Sequence, residues 1–128
     1  MSRRIIAVAL AVYLVFVGVV TLDPSPPDPA GNDFVRRLLE LVPISYDALE
    51  FTANIGMFVP VGALVAALSR HWWIAVVVGI ALTCGIEFVQ QFLPARYPEA
   101  RDLLSNSLGT LIGAGVAAVI TRSRRRST

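Results

Sequence analysis

Four apolar runs, 5–22, 51–68, 72–93 and 103–120, separated by short polar or proline-bearing connections, leave this 128-residue chain few ways to fold. At about 1.5 Å of rise per residue, each run forms a helix of roughly 27 to 33 Å, which matches a hydrocarbon core near 30 Å. Charged residues make up only 16% of the chain and mean hydropathy is +0.67. A soluble domain carries about 25% charge, so the deficit points to lipid. The expected fold is an all-α, four-transmembrane-helix bundle in one domain over 1–128, with spans at 5–22, 48–68, 72–93 and 103–120. The second span is carried back to 48 because Asp47 and Glu50 supply an acidic first turn, favourable at a positive helix end.

Arginine placement gives the expected orientation. Arg3 and Arg4 precede the first span, Arg70 sits between the second and third, and Arg122, Arg124, Arg125 and Arg126 follow the fourth. The connection after the first span instead carries Asp23, Asp28, Asp33, Glu40, Asp47 and Glu50. By the positive-inside rule both termini are cytoplasmic, in a multi-pass protein of the cell membrane. The first run is too long for a secretory signal and ends at Asp23 without a small-x-small cleavage site, so it reads as an uncleaved span. The prolines at 24, 26, 27 and 29 forbid a helix, and a short amphipathic helix over Phe34 to Val42, capped by Asn32 or Asp33, follows on the extracytoplasmic side. It either lies among the headgroups or covers the bundle.

Within these apolar runs a few polar residues stand out. An ionisable side chain inside a span costs about 2.5 to 3.5 kcal/mol on insertion scales, so its default reading is a functional site or a buried pair. Glu87, Gln90 and Gln91 share one face of the third span at i, i+3 and i+4, with Pro94 ending that helix. Asp102 is the expected N-cap of the fourth span, and Asp102, Asn106, Gly109 and Gly113 form one stripe. The helical rise puts Glu87, Asn106 and Asn54 about 5 to 9 Å below the outer ends of three spans, with Arg96 and Asp102 in the turn above. Asn54, Glu87, Gln90, Arg96, Asp102 and Asn106 are therefore the candidate binding residues of an outward-facing pocket, and Glu87 is the candidate acid or base. A neutral acid there donates a proton; an ionised one binds a cationic group or acts as a base. A plain interhelical hydrogen-bond network is the competing reading.

Gly56, Pro60, Gly62, Gly109 and Gly113 are expected to serve helix packing, with a kink at Pro60. Cys84, the single cysteine, reads as a small core residue and excludes an intrachain disulfide. With one histidine, His71, and no cysteine pair, no metal site and no cofactor are expected. Trp72 and Trp73 beside His71 mark a membrane boundary.

The pattern Glu87-x2-Gln90-x5-Arg96-x5-Asp102-x3-Asn106-x2-Gly109-x3-Gly113, preceded by Asn54-Ile55-Gly56-x-Phe58-x-Pro60-x-Gly62, resembles the VanZ-like family of small bacterial membrane proteins. The resemblance covers spans two to four. It departs at Arg101, where members often carry a second acidic residue before the Asp. The resemblance implies an integral membrane protein whose best-known relatives are associated with resistance to the lipoglycopeptide teicoplanin, and it supplies no reaction.

The expected function is recognition of an amphiphilic cell-envelope molecule, whether a lipid, a cell-wall precursor or a lipoglycopeptide. The alternative is a small intramembrane enzyme on a lipid-linked substrate, with Glu87 as acid or base and Arg96 holding a phosphate. The sequence shows no nucleophile constellation. Expected partners are membrane lipids and a lipid-linked envelope molecule, not nucleic acid; oligomerisation is left open.

Overall fold

A computed structural model describes residues 2–25, 33–94 and 99–126, together with the side chains up to 123 in the last helix. Among these residues all regular structure is helical: α1 (Arg3–Thr21), α2 (Asp33–Leu41), α3 (Tyr46–Ser69), α4 (Trp72–Gln90) and α5 (Ala100–Arg126). Four of the five, all but α2, are long and apolar enough to cross a membrane. The prolines at 26, 27 and 29, Asn32 and Arg96 lie outside the described residues.

Local chemistry sets the ends. Ser2 caps α1, its hydroxyl accepting from the Ile5 N–H at 3.4 Å, and Ser45 caps α3 by accepting from Ala48 at 3.2 Å. α4 stops at Gln90, three residues short of the expected span. The pyrrolidine ring of a proline clashes with the carbonyl four residues earlier, and Pro94 stands four residues after Gln90, so its effect reaches further back than its own position. Asp102 lies in the first turn of α5 and is not its N-cap, because the helix begins at Ala100. α2 begins one residue before the expected start, with Asp33 inside it and paired to Arg36 at 2.6 Å. α3 runs through Pro60 as one helix.

The tightest seam joins α3 to α5, which run parallel because α4 returns the chain between them. A Cβ on Gly113 would fall onto the Val59 carbonyl, one on Gly109 onto the Ile55 carbonyl, and one on Gly62 onto the Thr110 carbonyl. Only hydrogen fits at these three positions, which is the small-residue packing that membrane bundles use in place of a hydrophobic drive. Gly79 plays the same part in α4, against the Thr110 side chain. Gly56 does not: nothing lies within 4 Å of its absent Cβ, which corrects its expected packing role. The glycine sits on the exposed face of α3.

α1 is held at both ends and in the middle. Arg3 donates to the Leu68 carbonyl at the end of α3, Tyr13 donates to the Met57 carbonyl at 2.9 Å, and Val17 is fully buried. Its Val8, Val12, Val15 and Val19 stay exposed at helical spacing. On a soluble protein such a stripe would be a liability; on four membrane-length helices it is the lipid face.

Candidate functional site

The polar residues of α3, α4 and α5 meet at the end of the bundle opposite Arg3 and Arg70. Asn54 donates to the Asp102 carboxylate at 3.0 Å, which joins α3 to the first turn of α5. One turn further along α5, Asn106 donates to the Thr83 hydroxyl of α4 at 2.9 Å, and both side chains are buried. The two polar pairs thus stand one turn apart along α5, with Asp102 above Asn106. α4 ends early and α5 begins early, so Glu87 is nearer its helix end, and Asn106 farther from its own, than the apolar runs suggest.

Gln90 is buried and donates to the Thr21 carbonyl at 2.8 Å. That carbonyl is one of the last four of α1, which have no partner inside their own helix, so an amide from α4 finishes α1. Gln91, the C-cap of α4, is exposed and stays beside Glu87 on the outer flank of the helix, away from the buried Gln90.

Glu87 divides its two oxygens. Oε2 accepts from the backbone N–H of Glu99 at 3.1 Å, just before α5 begins, where a helix N-terminus favours an anion. Oε1 is buried and accepts no hydrogen bond from the described residues, and the same is true of Asn106 Oδ1. Leaving a buried acceptor unpaired costs about 1 to 3 kcal/mol, and more for a charged group. One half of the carboxylate is tied to the Glu99 backbone; the other is buried without a partner among the described residues.

Both acceptors belong to residues lining one cavity of about 240 Å³. Asn54, Gln90 and Asp102 line it too, so the structure brings five of the six predicted binding residues around a single space; the sixth is Arg96. Glu50 adds another carboxylate to the wall, Val20 and Met57 add apolar surface, and Val35 brings α2 to the rim. Glu87 also faces a second, more open groove of about 390 Å³ on the flank of α4 and α5, with Cys84, Phe88, Gln91 and Leu103. Cys84 is thus exposed and not a core residue. The core face of α4 is Ala75, Gly79, Thr83, Ile86 and Gln90, and Cys84 lies off that stripe.

Arg101 lies opposite the start of α3. It donates to the Asp47 carbonyl at 2.7 Å and reaches the carboxylates of Asp47 at 3.5 Å and Glu50 at 4.0 Å. An arginine at this position clasps the first turns of α3 and α5 and offsets the carboxylates that crowd the rim. Thr83, Glu50 and Arg101 escaped sequence reading as site residues. Thr83 stands four residues before Glu87, on the same helix face, which is the one signal that could have found it.

Among the described residues no three metal-binding side chains cluster. The chain matches the VanZ/LLP1 family over residues 10–121. That match spans most of the sequence and reaches into all four long helices, and the chain belongs to this family. It matches no curated protein and no solved structure.

Proposed function

We propose that this VanZ/LLP1 chain is a multi-pass protein of the bacterial cell membrane, with both termini in the cytoplasm, that recognises an amphiphilic cell-envelope molecule at its extracytoplasmic face. The observation that carries the reading is the cavity at which Asn54, Glu87, Gln90, Asp102 and Asn106 converge, with Glu87 Oε1 and Asn106 Oδ1 as buried acceptors that have no partner among the described residues. Acceptors select donors. The head of the ligand is therefore an ammonium or a group rich in N–H and O–H, as the amides of a cell-wall precursor or a glycopeptide are.

Size limits the choice further. A cavity of about 240 Å³ lies below the roughly 300 to 1,000 Å³ of pockets for drug-sized ligands, so it admits a headgroup-sized moiety and leaves the bulk of a lipoglycopeptide outside. The groove beyond Glu87 offers an apolar wall, Phe88 and Leu103, to a tail. Head and tail sites that share one residue suit an amphiphile.

The test is co-purification and binding of envelope lipids, lipid-linked precursor and teicoplanin to the wild type, Glu87→Gln and Asn106→Leu. Glu87→Gln keeps the shape but removes the charge, and binding is expected to fall about 10-fold or more, as for a hydrogen bond to a charged group. Unchanged binding in both variants would sink the proposal. Conversion of a lipid-linked substrate that depends on Glu87 would move the assignment to the enzymatic alternative.

A further inference from the structure

The opposite end of the bundle carries a second cleft, of about 500 Å³, between the last turn of α3, the first turn of α4 and the final third of α5. Its floor is apolar, made by Ala66 and Ala67 from α3 and Ala117 and Ala118 from α5. Arg70, Trp72 and Arg122 rim it. Segments 1–22, 51–86 and 103–128 contain no acidic residue, so the charge at this end comes from arginines alone, before α1, in the α3–α4 turn and at the end of α5. Among the described residues neither guanidinium enters an ion pair.

Arg70 is held there at a cost. It is the one described non-glycine residue with positive φ, +65°, at the C-cap of α3, where glycine is the favoured residue. The turn around it is closed without its side chain. Ser69 Oγ donates to the His71 carbonyl at 3.0 Å and accepts from the His71 N–H at 3.3 Å, and His71 Nδ1 lies 2.9 Å from the Ser69 carbonyl. The Arg70 backbone N–H caps α3 on the Ala66 carbonyl, while its side chain makes no hydrogen bond among the described residues, which leaves the guanidinium for a partner outside the chain.

We propose that this cleft binds the phosphate headgroup of an anionic phospholipid. Arg70 and Arg122 hold the phosphate through charge-assisted hydrogen bonds, and the glycerol and upper acyl chains rest on the alanine floor beside the Trp72 indole. The floor lies on membrane-length helices, which favours a lipid over a free anion. This site is separate from the acidic cavity and does not depend on what that cavity binds.

The two tryptophans of the chain, Trp72 and Trp73, both stand at this end, so the full-length Trp73→Phe protein in vesicles leaves Trp72 as the sole reporter. Quenching by brominated phosphatidylglycerol is compared with quenching by brominated phosphatidylcholine. The anionic lipid is expected to quench at the lower mole fraction, and the preference to fall about fivefold in Arg70→Gly and in Arg122→Gln. Arg4→Gln, which removes a charge at the same end but outside the cleft, is expected to leave it unchanged. Arg70→Gly also relieves the backbone, so its melting temperature is expected to hold or rise while selectivity is lost. The proposal is overturned by equal quenching from both lipids, by full preference in Arg70→Gly, or by an equal loss in Arg4→Gln. Displacement of the lipid by inorganic phosphate beyond that by chloride at matched ionic strength would assign the cleft to a free anion and overturn it too.

Discussion

Between the cavity end and the middle of the bundle, the contact of α3 with α5 changes character. At the cavity end the two helices are joined by side chains: Asn54 to Asp102, and Arg101 to Asp47 and Glu50. Two turns further in, they are joined by their backbones, with Gly62, Gly109 and Gly113 against the carbonyls of Thr110, Ile55 and Val59. The glycine seam cannot yield, because a backbone atom cannot swing away as a side chain does. The polar end is joined through side chains, whose rotamers leave more freedom than a backbone contact does. A backbone seam beside a side-chain rim keeps the two helices at a fixed spacing while leaving the cavity beside the rim unfilled.

The largest expected effect is at the seam. Gly113→Leu drives a side chain into the Val59 carbonyl and should destabilise the protein by about 3 kcal/mol, the upper end of overpacking costs, measured as a fall in melting temperature in detergent. Gly56→Ala is the matched control on the same pair of helices. With open space beside it, it should be neutral or stabilising by up to about 1 kcal/mol, as alanine is over glycine in a helix. Equal losses in the two would dissolve the contrast.

At the rim the effects should be smaller and should separate stability from binding. Asp102→Ala strands the Asn54 amide and should cost about 1 to 3 kcal/mol together with loss of ligand. Arg101→Ala removes ion pairs whose carboxylates are a third or more exposed, so about 1 kcal/mol or less is expected in the same melting assay. An Arg101→Ala variant as unstable as Gly113→Leu would mean that the rim is as rigid as the seam.

Much of this arrangement was legible in the sequence, for physical reasons particular to each residue. Uninterrupted apolar runs of bilayer length announce their helices, and Glu87, Asn54 and Asn106 are conspicuous because lipid makes polarity costly. Thr83 and Thr110 were not legible. A threonine in a span ordinarily satisfies itself on its own helix, as Thr110 does with the Asn106 carbonyl and Thr21 with that of Val17. Only the neighbouring helix reveals that Thr83 serves Asn106. Gly79 hid for a related reason, since its partner is a side chain on another helix and no second glycine flags it. Arg101 looked like a departure from the resembling pattern, and the carboxylates it meets, Asp47 and Glu50, are far away in sequence, at the start of α3.

The most direct test is an experimental structure of the full chain purified with envelope lipid from its own membrane. Non-protein density with a donor group within hydrogen-bond reach of Glu87 Oε1 and Asn106 Oδ1, continuing toward Phe88 and Leu103, is the predicted result. A cavity holding only water bridged between those two oxygens, with no envelope lipid retained, would contradict it.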